Sequence, residues 1–463
     1  MRRHRRSTEA CLNEFLGSVW WLVVSLGVLV TFHEFGHYWV ARRFGVRVLR
    51  FSVGFGRPLW MRRGRDGTEY AIAAIPLGGY VKMLDEREGD VPAAQLHEAF
   101  NRKPVGQRMA VVVAGPVANL LLCVALLWGM FVIGRPDFLP EVGRAEGLAQ
   151  TAGLRPGDVI LAVDGRETPT WTEAELALVP AALDRRTVQV RIRTPEGRET
   201  ERRLRLAELP AEFDELRAVQ AIGLEPRHRI VPAQVVATSP GHPAHGVILP
   251  GDVVTAVDGH PVQSSQDVDP LVQQLGARGG AAMIEVDRAG ERLALELAPR
   301  RSTADGDERW LLGVTLGQAA APEPNALLRH GPLAAVPAAL RETAHQAREL
   351  LAMLGRAVTG RVDVRNTVAG PITIARAANY YAERGPAWYL SILAMLSLSL
   401  GILNLLPIPI LDGGHLLYYL IELVKGRPLS ERAMAAGQFV GLALIAGLMG
   451  LAFYNDIVNN LLR

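Results

Sequence analysis

Phe32-His33-Glu34-Phe35-Gly36-His37-Tyr38-Trp39 contains an HExxH motif and lies in a long apolar part of the chain. No charged residue occurs from Phe15 to Phe32, and the first arginine after the motif is Arg42. On a helix, His33 and His37 share one face and can reach one metal ion, with Glu34 beside them. At about 1.5 Å per residue, His33 lies roughly 13 Å before Arg42 along that helix. The motif therefore predicts a hydrolytic site below a membrane surface.

Four uncharged segments approach or exceed the length of about 20 residues that crosses a membrane. The alternative is buried core helices of a large soluble protein, but four such runs without a charge are rare in soluble folds. The first segment follows several arginines, as a signal peptide does, yet no small-residue cleavage site follows it. The sequence predicts a multi-pass α-helical membrane protein with four transmembrane helices. The segments are Phe15–Phe32 (extended by the HExxH helix), Met109–Gly134, Gly385–Leu411 and Ala433–Asn455.

Charge and cysteine content exclude other classes of protein. A net charge of +3 over 463 residues is too small to indicate nucleic-acid binding. The two cysteines, Cys11 and Cys123, cannot form a disulfide framework. Positive charge marks the cytoplasmic side of a membrane. The loop from Arg42 to Arg108 is rich in arginine, which favours a cytoplasmic position for it and an external one for both termini and the central region. The arginines near the N-terminus favour the opposite orientation.

The central region contains an internal repeat with an offset of 94 residues, the size of a small domain. Pro156-Gly157-Asp158-Val159-Ile160-Leu161-Ala162-Val163-Asp164-Gly165 recurs as Pro250-Gly251-Asp252-Val253-Val254-Thr255-Ala256-Val257-Asp258-Gly259. Each copy predicts a turn, a short strand and a tight Asp-Gly turn, followed by a helix and further strands. The pattern resembles the circularly permuted bacterial PDZ domain. That resemblance implies peptide-binding loops at Ile222-Gly223-Leu224 and Leu312-Gly313-Val314.

Two further segments have patterns that relate to the membrane. The alternation from Val46 to Met83 predicts a β-hairpin, with strands near Leu49–Val53 and Tyr70–Ile75. Its aromatic residues allow it to dip into the membrane, and the alternative is a hairpin lying on the cytoplasmic surface. The stretch Pro332–Val358 predicts an amphipathic helix next to the membrane, which braces the soluble domains or links them.

Asp412 is the best candidate for a third metal ligand, because catalytic zinc usually takes three protein ligands and keeps one position open. It follows the third segment in Asn404-Leu405-Leu406-Pro407-Ile408-Pro409-Ile410-Leu411-Asp412-Gly413-Gly414-His415. Ionisable groups at membrane depth are costly and usually face a protein interior. Segments one and three run in the same direction, so both motifs reach the same side. His415 is a competing ligand, and a helix-capping role is the alternative for Asp412.

The two metal motifs, the four spans and the paired PDZ-like domains together resemble the site-2 protease family of intramembrane zinc metalloproteases. The resemblance covers the chain from about Phe15 onward. It implies one Zn²⁺ held by His33, His37 and Asp412, with Glu34 as the catalytic base. It also implies substrate contacts for Asn404 and Asn119 and a membrane-associated hairpin. The N-terminal extension through Cys11 departs from the family pattern and leaves the start site open.

The resemblance implies regulated intramembrane proteolysis in the bacterial inner membrane. The expected partners are the lipid bilayer and a single-span substrate already clipped outside, such as an anti-sigma factor, or remnant signal peptides. The PDZ-like pair is expected to exclude substrates with bulky external domains. Two other interpretations are a membrane-anchored metallopeptidase with a cytoplasm-facing site and a non-enzymatic PDZ scaffold. The predicted segments are an extension (1–13), helix 1 (14–41), a cytoplasmic loop with the hairpin (42–108), helix 2 (109–134), PDZ-like domains (135–228 and 229–320), a linker (321–384), helix 3 (385–411) and helix 4 (433–455).

Overall fold

A computed structural model describes residues 2–210, 213–304, 307–317, 322–360 and 369–461. Residues 211–212, 305–306 and 318–320 of the predicted PDZ-like domains, and 321 and 361–368 of the predicted linker, lie outside the described residues. The chain divides into two compact units. We call Met1–Arg135 with Leu328–Arg463 the membrane unit, and Pro136–Leu327 the repeat unit.

The described residues form eleven α-helices, which include every long apolar segment of the sequence. They are α1 (Arg2–Arg43), α2 (Val105–Ile133), α3 (Gly147–Thr151), α4 (Trp171–Leu183), α5 (Ala218–Ile222), α6 (Ser265–Arg278), α7 (Pro332–Val358), α8 (Pro371–Glu383), α9 (Pro386–Asn404), α10 (Asp412–Lys425) and α11 (Glu431–Leu461).

The strands are short except for the first two, which belong to the membrane unit. They are β1 (Val48–Arg63), β2 (Glu69–Met83), β3 (Arg135–Asp137), β4 (Val142–Ala145), β5 (Val159–Val163), β6 (Arg166–Glu167), β7 (Thr187–Arg193), β8 (Glu199–Arg205), β9 (Leu224–Pro226), β10 (Val235–Thr238), β11 (Val253–Val257), β12 (His260–Pro261), β13 (Ala282–Arg288), β14 (Glu291–Leu297), β15 (Arg300–Ala304), β16 (Asp307–Leu311), β17 (Val314–Leu316) and β18 (Ala326–Leu328).

The prediction of four membrane-spanning helices is confirmed. Within the described ranges, four helices are long and apolar enough to cross a membrane: Leu12–Arg43, Val105–Ile133, Pro386–Asn404 and Glu431–Val458. The ends of all four spans differ from the prediction, and two of the differences are large. Residues 2–13 continue α1 without a break, so they form no separate segment. The third span ends at Asn404 rather than Leu411, because Pro407 and Pro409 follow and a proline cannot continue the backbone ladder of a helix.

Helices α2, α7 and α9 share one apolar core in the membrane unit. The predicted amphipathic helix spans Pro332–Val358, as the sequence indicates, and Ala335 and Ala339 on its buried face are fully enclosed. Small side chains there allow α7 to approach Leu127 of α2 and Leu398 of α9 closely. Cys123 is also fully buried in this core, so a cysteine serves here as a small apolar residue.

Strands β1 and β2 are antiparallel, and both bend so that they build four adjacent rows. Phe51 pairs with Val81 on one side and with Tyr70 on the other, which places residues 48–53 in the interior of the sheet. The order across the sheet is 79–83, 48–53, 69–73 and 58–63. Glycines with positive φ, such as Gly54 and Gly78, lie at the bends, where residues with a Cβ are disfavoured. The row 79–83 is therefore one free edge of this sheet.

The repeat unit contains two copies of one αβ arrangement. The first has the sheet order β6-β5-β7-β8 with helix α4, and the second has β12-β11-β13-β14 with helix α6. In both copies the Asp-Gly pair forms the predicted two-residue turn, since Asp164 and Asp258 have φ values of 47° and 50°. Asp158 and Asp252 accept the backbone N–H groups of Arg155 and Leu249, each at 2.8 Å. The sequence repeat thus corresponds to a structural repeat.

Candidate metal centre

Helix α1 presents His33 and His37 on one face, four residues apart, and both are buried. The His33 Nε2 and His37 Nε2 atoms lie 3.3 Å from each other. The Asp412 Oδ2 atom lies 3.1 Å from His33 Nε2 and 3.4 Å from His37 Nε2. Among the described residues, these three form the one group that can hold a metal ion. We call these three atoms the ligand triangle.

Asp412 reaches the ligand triangle because the chain turns sharply after α9. It is the first residue of α10, and the Leu405–Leu411 connection folds back over it. A Cβ at Gly413 would overlap the carbonyl oxygen of Leu406, which explains the glycine after the ligand. Ile410 has φ of 108°, a strained conformation for a β-branched residue, and such strain concentrates at functional sites. The loop is therefore shaped to deliver the Asp412 carboxylate.

The geometry of the ligand triangle fits zinc. Tetrahedral zinc with bonds of about 2.0–2.1 Å to nitrogen and oxygen separates its ligand atoms by roughly 3.3 Å, close to the three observed distances. The Asp412 Oδ2 atom is buried and has no hydrogen-bond donor in the described part of the chain. Two imidazole nitrogens and one carboxylate oxygen are also a common ligand set for catalytic zinc. The residues present therefore suit a three-ligand zinc site with an open fourth position.

Helix α2 packs directly against the two histidines. Glycines allow the two helices to pack closely. A Cβ at Gly36 would overlap the Ala114 carbonyl, and a Cβ at Gly115 would overlap the His37 ring. His37 Nδ1 lies 2.8 Å from the carbonyl oxygen of Val111, which can only accept a hydrogen bond. The proton of the neutral His37 ring is therefore on Nδ1, and Nε2 is free to bind metal.

Glu34 lies beside the ligand triangle and is held by the β-sheet. Its carboxylate accepts a hydrogen bond from the backbone N–H of Val81, in the free edge row 79–83. A Cβ at Gly79 would contact Glu34 Cγ at 3.2 Å, so this edge runs closely over Glu34. The triangle and Glu34 open into a cavity of about 490 Å³. Its lining also includes Tyr80, Val81, Arg87, His415 and Tyr419.

The lining of this cavity includes an ion pair between Arg87 and Asp85. The Nε atom of Arg87 donates to Asp85 Oδ1 at 2.9 Å, and this carboxylate raises the pKa of Arg87 above its usual value. Nearby, hydrogen bonds from Arg102 and Asn101 lower the pKa of Glu86 to about 2. The loop after β2 is therefore organised by ion pairs, and Arg87 stays protonated at any physiological pH.

The other predicted site residues do not all lie at the metal centre. Asn119 lies on α2 next to His33 and is fully buried. Asn404 is the last residue of α9 and is half-buried. His415 lines the cavity, one turn beyond Asp412, but is not part of the three-residue cluster. The proposed peptide-binding loops lie in the repeat unit.

The glycines of those two loops have similar backbone conformations, although Ile222 ends a helix and Leu312 follows a strand. Gly223 and Gly313 have φ values of 87° and 80°. Their carbonyl oxygens accept hydrogen bonds at 2.8 Å from the N–H groups of Glu146 and Ser239. Ile222 and Leu312 are buried before each glycine, and Leu224 and Val314 begin the strands β9 and β17. The two loops are thus matched structural elements of the two copies.

Two contributors to the metal centre, Val81 and Gly115, were not among the predicted site residues. Val81 acts through its backbone N–H, for which the sequence carries no signal. Gly115 acts through its missing side chain, and its only trace is a Gly-Pro pair inside an apolar helix. Both become visible only when α1, α2 and β2 are placed together.

Comparison with known proteins agrees with this geometry. The model of peptidase family M50 matches residues 21–448. The chain belongs to peptidase family M50. A Xylella fastidiosa (strain Temecula1) relative, named as a zinc metalloprotease, is 55% identical over 447 residues, which cover 96% of this chain and 100% of the relative. The "Regulator of sigma-E protease RseP" of Escherichia coli (strain K12) is 41% identical, over 96% of this chain and 98% of its own.

A third relative, "Protease RseP" of Yersinia pestis, is 41% identical over 94% of this chain and 97% of its own. Family membership makes the chain a zinc metalloprotease of the site-2 protease type. The interpretation as a non-enzymatic scaffold is therefore wrong. The four apolar helices make it a membrane protein.

Proposed function

We propose that this chain is an intramembrane protease that cuts a peptide bond within a transmembrane segment of a single-span substrate. The observation that carries the proposal is the ligand triangle itself. Its three atoms come from α1 and from the start of α10, which follows the third span, and Glu34 lies beside them. The outer surface of α1 near the motif is apolar, with Phe35 and Trp39 exposed. Such a surface suits lipid contact rather than an aqueous cleft.

One zinc ion per chain is held by His33, His37 and Asp412 in this proposal. When bound, zinc supplies Lewis-acid activation of water and of the scissile carbonyl. Glu34 accepts the proton of the attacking water and passes it to the leaving amine. The Val81 N–H keeps the Glu34 carboxylate oriented toward the cavity.

A substrate helix must unwind before its backbone can be cut, and its unpaired groups in lipid cost several kcal/mol each. The free edge row 79–83 offers a strand to which the unwound segment can add. This row passes directly over Glu34, as the Gly79 and Val81 contacts show. Strand addition therefore both satisfies the substrate backbone and aligns it with the base. Exposed Leu59, Trp60 and Met61 in the opposite edge suit a membrane-associated sheet.

The two copies of the repeat unit are PDZ-like domains in this proposal, with Ile222-Gly223-Leu224 and Leu312-Gly313-Val314 as their peptide-binding loops. They lie outside the bacterial inner membrane with both termini, and the metal centre faces the cytoplasmic side. The substrate is an anti-sigma factor already clipped outside, and remnant signal peptides are a second substrate class. Support comes from the RseP relatives, whose names refer to regulation of sigma-E. Asn404 contacts the substrate segment near the metal.

The test is cleavage by the purified full chain in detergent, with a single-span substrate that lacks its external domain. The expected cut lies within the span and is abolished by Glu34→Gln and by a zinc chelator. Glu34→Gln should retain zinc, which separates loss of the base from loss of the metal. Asp412→Ala should lose zinc while His415→Ala keeps it. Cuts confined to soluble loops would contradict the proposed intramembrane activity, and the reverse zinc result would overturn the ligand set.

A further inference from the structure

Asn119 occupies a position that a substrate cannot reach. Its side chain is fully buried within α2, and it does not line the cavity at the metal centre. Its amide nitrogen lies 3.3 Å from His33 Nδ1, and its amide oxygen has no donor among the described residues. A buried amide oxygen without a donor is costly, so the arrangement requires an explanation.

The two halves of an asparagine amide have nearly the same shape, and only the hydrogen-bond network distinguishes oxygen from nitrogen. His33 directs Nε2 into the ligand triangle. A neutral ring that binds metal through Nε2 carries its proton on Nδ1 and therefore needs an acceptor there. The amide oxygen is the acceptor that Asn119 can supply. Exchanging the amide oxygen and nitrogen provides it and removes the unpaired oxygen.

His37 gives an independent precedent for this arrangement in the same site. Its Nδ1 donates to the Val111 carbonyl of α2 at 2.8 Å, with Nε2 facing the triangle. Val111 and Asn119 are eight residues apart on α2, so they lie about 12 Å apart along that helix. Helix α2 thus offers one acceptor to each metal-binding ring. Val111 uses its backbone carbonyl, and Asn119 uses its side chain.

Helix α9 keeps Asn119 in place. The Ser397 hydroxyl donates to the backbone carbonyl of Asn119 at 2.8 Å, and Ser397 is fully buried. A Cβ at Gly401 would lie 3.4 Å from the Asn119 Cβ, so the glycine allows close contact between the helices. With the backbone braced and the side chain enclosed, the Asn119 amide has little freedom to move.

We infer that Asn119 is a positioning residue for the metal centre, and not a substrate contact. Its side-chain oxygen accepts the Nδ1–H of His33, which holds the His33 ring with Nε2 directed at the metal. This inference rests on the proposed zinc site of His33, His37 and Asp412. It assigns no contact with substrate to Asn119.

The test measures zinc affinity of the full chain in detergent by competition with a chelator. Asn119→Leu keeps the approximate volume but removes the acceptor, and affinity should fall about 10- to 100-fold. Asn119→Asp keeps an acceptor, and affinity should equal or exceed that of the wild type. Cys123→Ala is the matched control, since Cys123 is equally buried one turn further along α2. It should bind zinc as the wild type does.

Wild-type zinc affinity in Asn119→Leu would overturn the inference, as would equal losses in Asn119→Leu and Asn119→Asp. If Asn119→Leu fails to give a monodisperse protein, Asn119→Asp alone tests the inference. A loss of zinc affinity greater than tenfold in Asn119→Asp would then overturn the inference. The readout is separate from proteolysis. Zinc binding that depends on Asn119, in a chain that cuts no membrane segment, would overturn the proposed function and support the inference.

Discussion

The position of Glu34 depends on residues outside its own helix. The HExxH motif places Glu34, the proposed base, next to the histidines, but its carboxylate is oriented by the Val81 N–H of the β-sheet. His37 is oriented by the Val111 carbonyl of α2 in the same way. Glu34 and His37 thus each have a partner on a different element. Small changes in how these elements pack should therefore alter chemistry before they alter folding.

Gly115→Ala tests this dependence at the residue scale. The new methyl group would overlap the His37 ring, so α1 and α2 must move apart or the ring must turn. A displacement of roughly 1 Å in a catalytic site can reduce the rate about a hundredfold. We expect cleavage of a single-span substrate to fall by about that factor, with weaker zinc retention, as measured in detergent.

Gly106→Ala is the matched control in the same helix, because a Cβ there meets no atom within 4 Å. It should retain wild-type cleavage and zinc binding. If both substitutions reduced cleavage and zinc binding equally, α2 would be sensitive to any added methyl group. The close contact between Gly115 and His37 would then not explain the effect.

At the element scale, the two copies of the repeat share the same turn, but different hydrogen bonds stabilise it. Asp158 and Asp252 each accept a backbone N–H three residues earlier. Asp252 also receives two hydrogen bonds from Arg288, of 2.8 and 2.7 Å, which lower the pKa of its carboxyl. Asp252 is almost completely buried. Solvent therefore screens the Asp252–Arg288 ion pair less than it screens an exposed pair such as Arg193 with Glu199.

Asp252→Asn should destabilise the second copy by about 1–2 kcal/mol at pH 7, since a charge-assisted hydrogen bond is weakened. Faster hydrogen exchange in β11 than in the wild type, with β5 unchanged, would show this in the full chain. The pKa of Asp252 is lower in the folded state than in the unfolded state, where it is about 3.9. Its contribution to stability is therefore fully present above about pH 3.9 and is lost as the pH falls through the folded-state pKa.

The difference between wild type and Asp252→Asn should therefore shrink below about pH 4, after correction for the pH dependence of intrinsic exchange. Glu199→Gln removes an exposed pair in the first copy and should change stability by less than about 0.5 kcal/mol. A pH-independent difference between wild type and Asp252→Asn would contradict the role assigned to the ion pair.

At the scale of the whole molecule, the chain combines a membrane metal centre with a separate folded unit inserted between α2 and α7. If the PDZ-like copies guard access, a substrate with a folded external domain should be excluded by its size. We expect such a substrate to be cut at least about ten times more slowly than the same span without its domain, a discrimination of about 1.4 kcal/mol.

Cleavage of the two substrates by the purified full chain measures this ratio. Unfolding the external domain while keeping its length is the matched control, because it removes bulk without changing the sequence at the cut. Equal rates for all three substrates would show that the repeat unit does not select by size.

The sequence by itself determined the apolar helices, the Asp-Gly turns and the pairing of His33 with His37 on one helix face. These follow from local rules: apolar length for spans, i and i+4 spacing for His33 and His37, and left-handed φ at Asp164 and Asp258. The predicted helix Pro332–Val358 has the bounds that its amphipathic pattern indicates.

Only the tertiary structure decided which groups contact and orient each side chain of the metal centre. The family resemblance implies a substrate contact for Asn119, whereas its burial beside His33 depends on how α2 packs against α1. The Val81 N–H leaves no mark in a sequence, since backbone groups are common to all residues, and the Gly-Pro pair at Gly115 does not show what the glycine contacts. Long-range packing brings these groups to within bonding distance, and local patterns do not encode that distance.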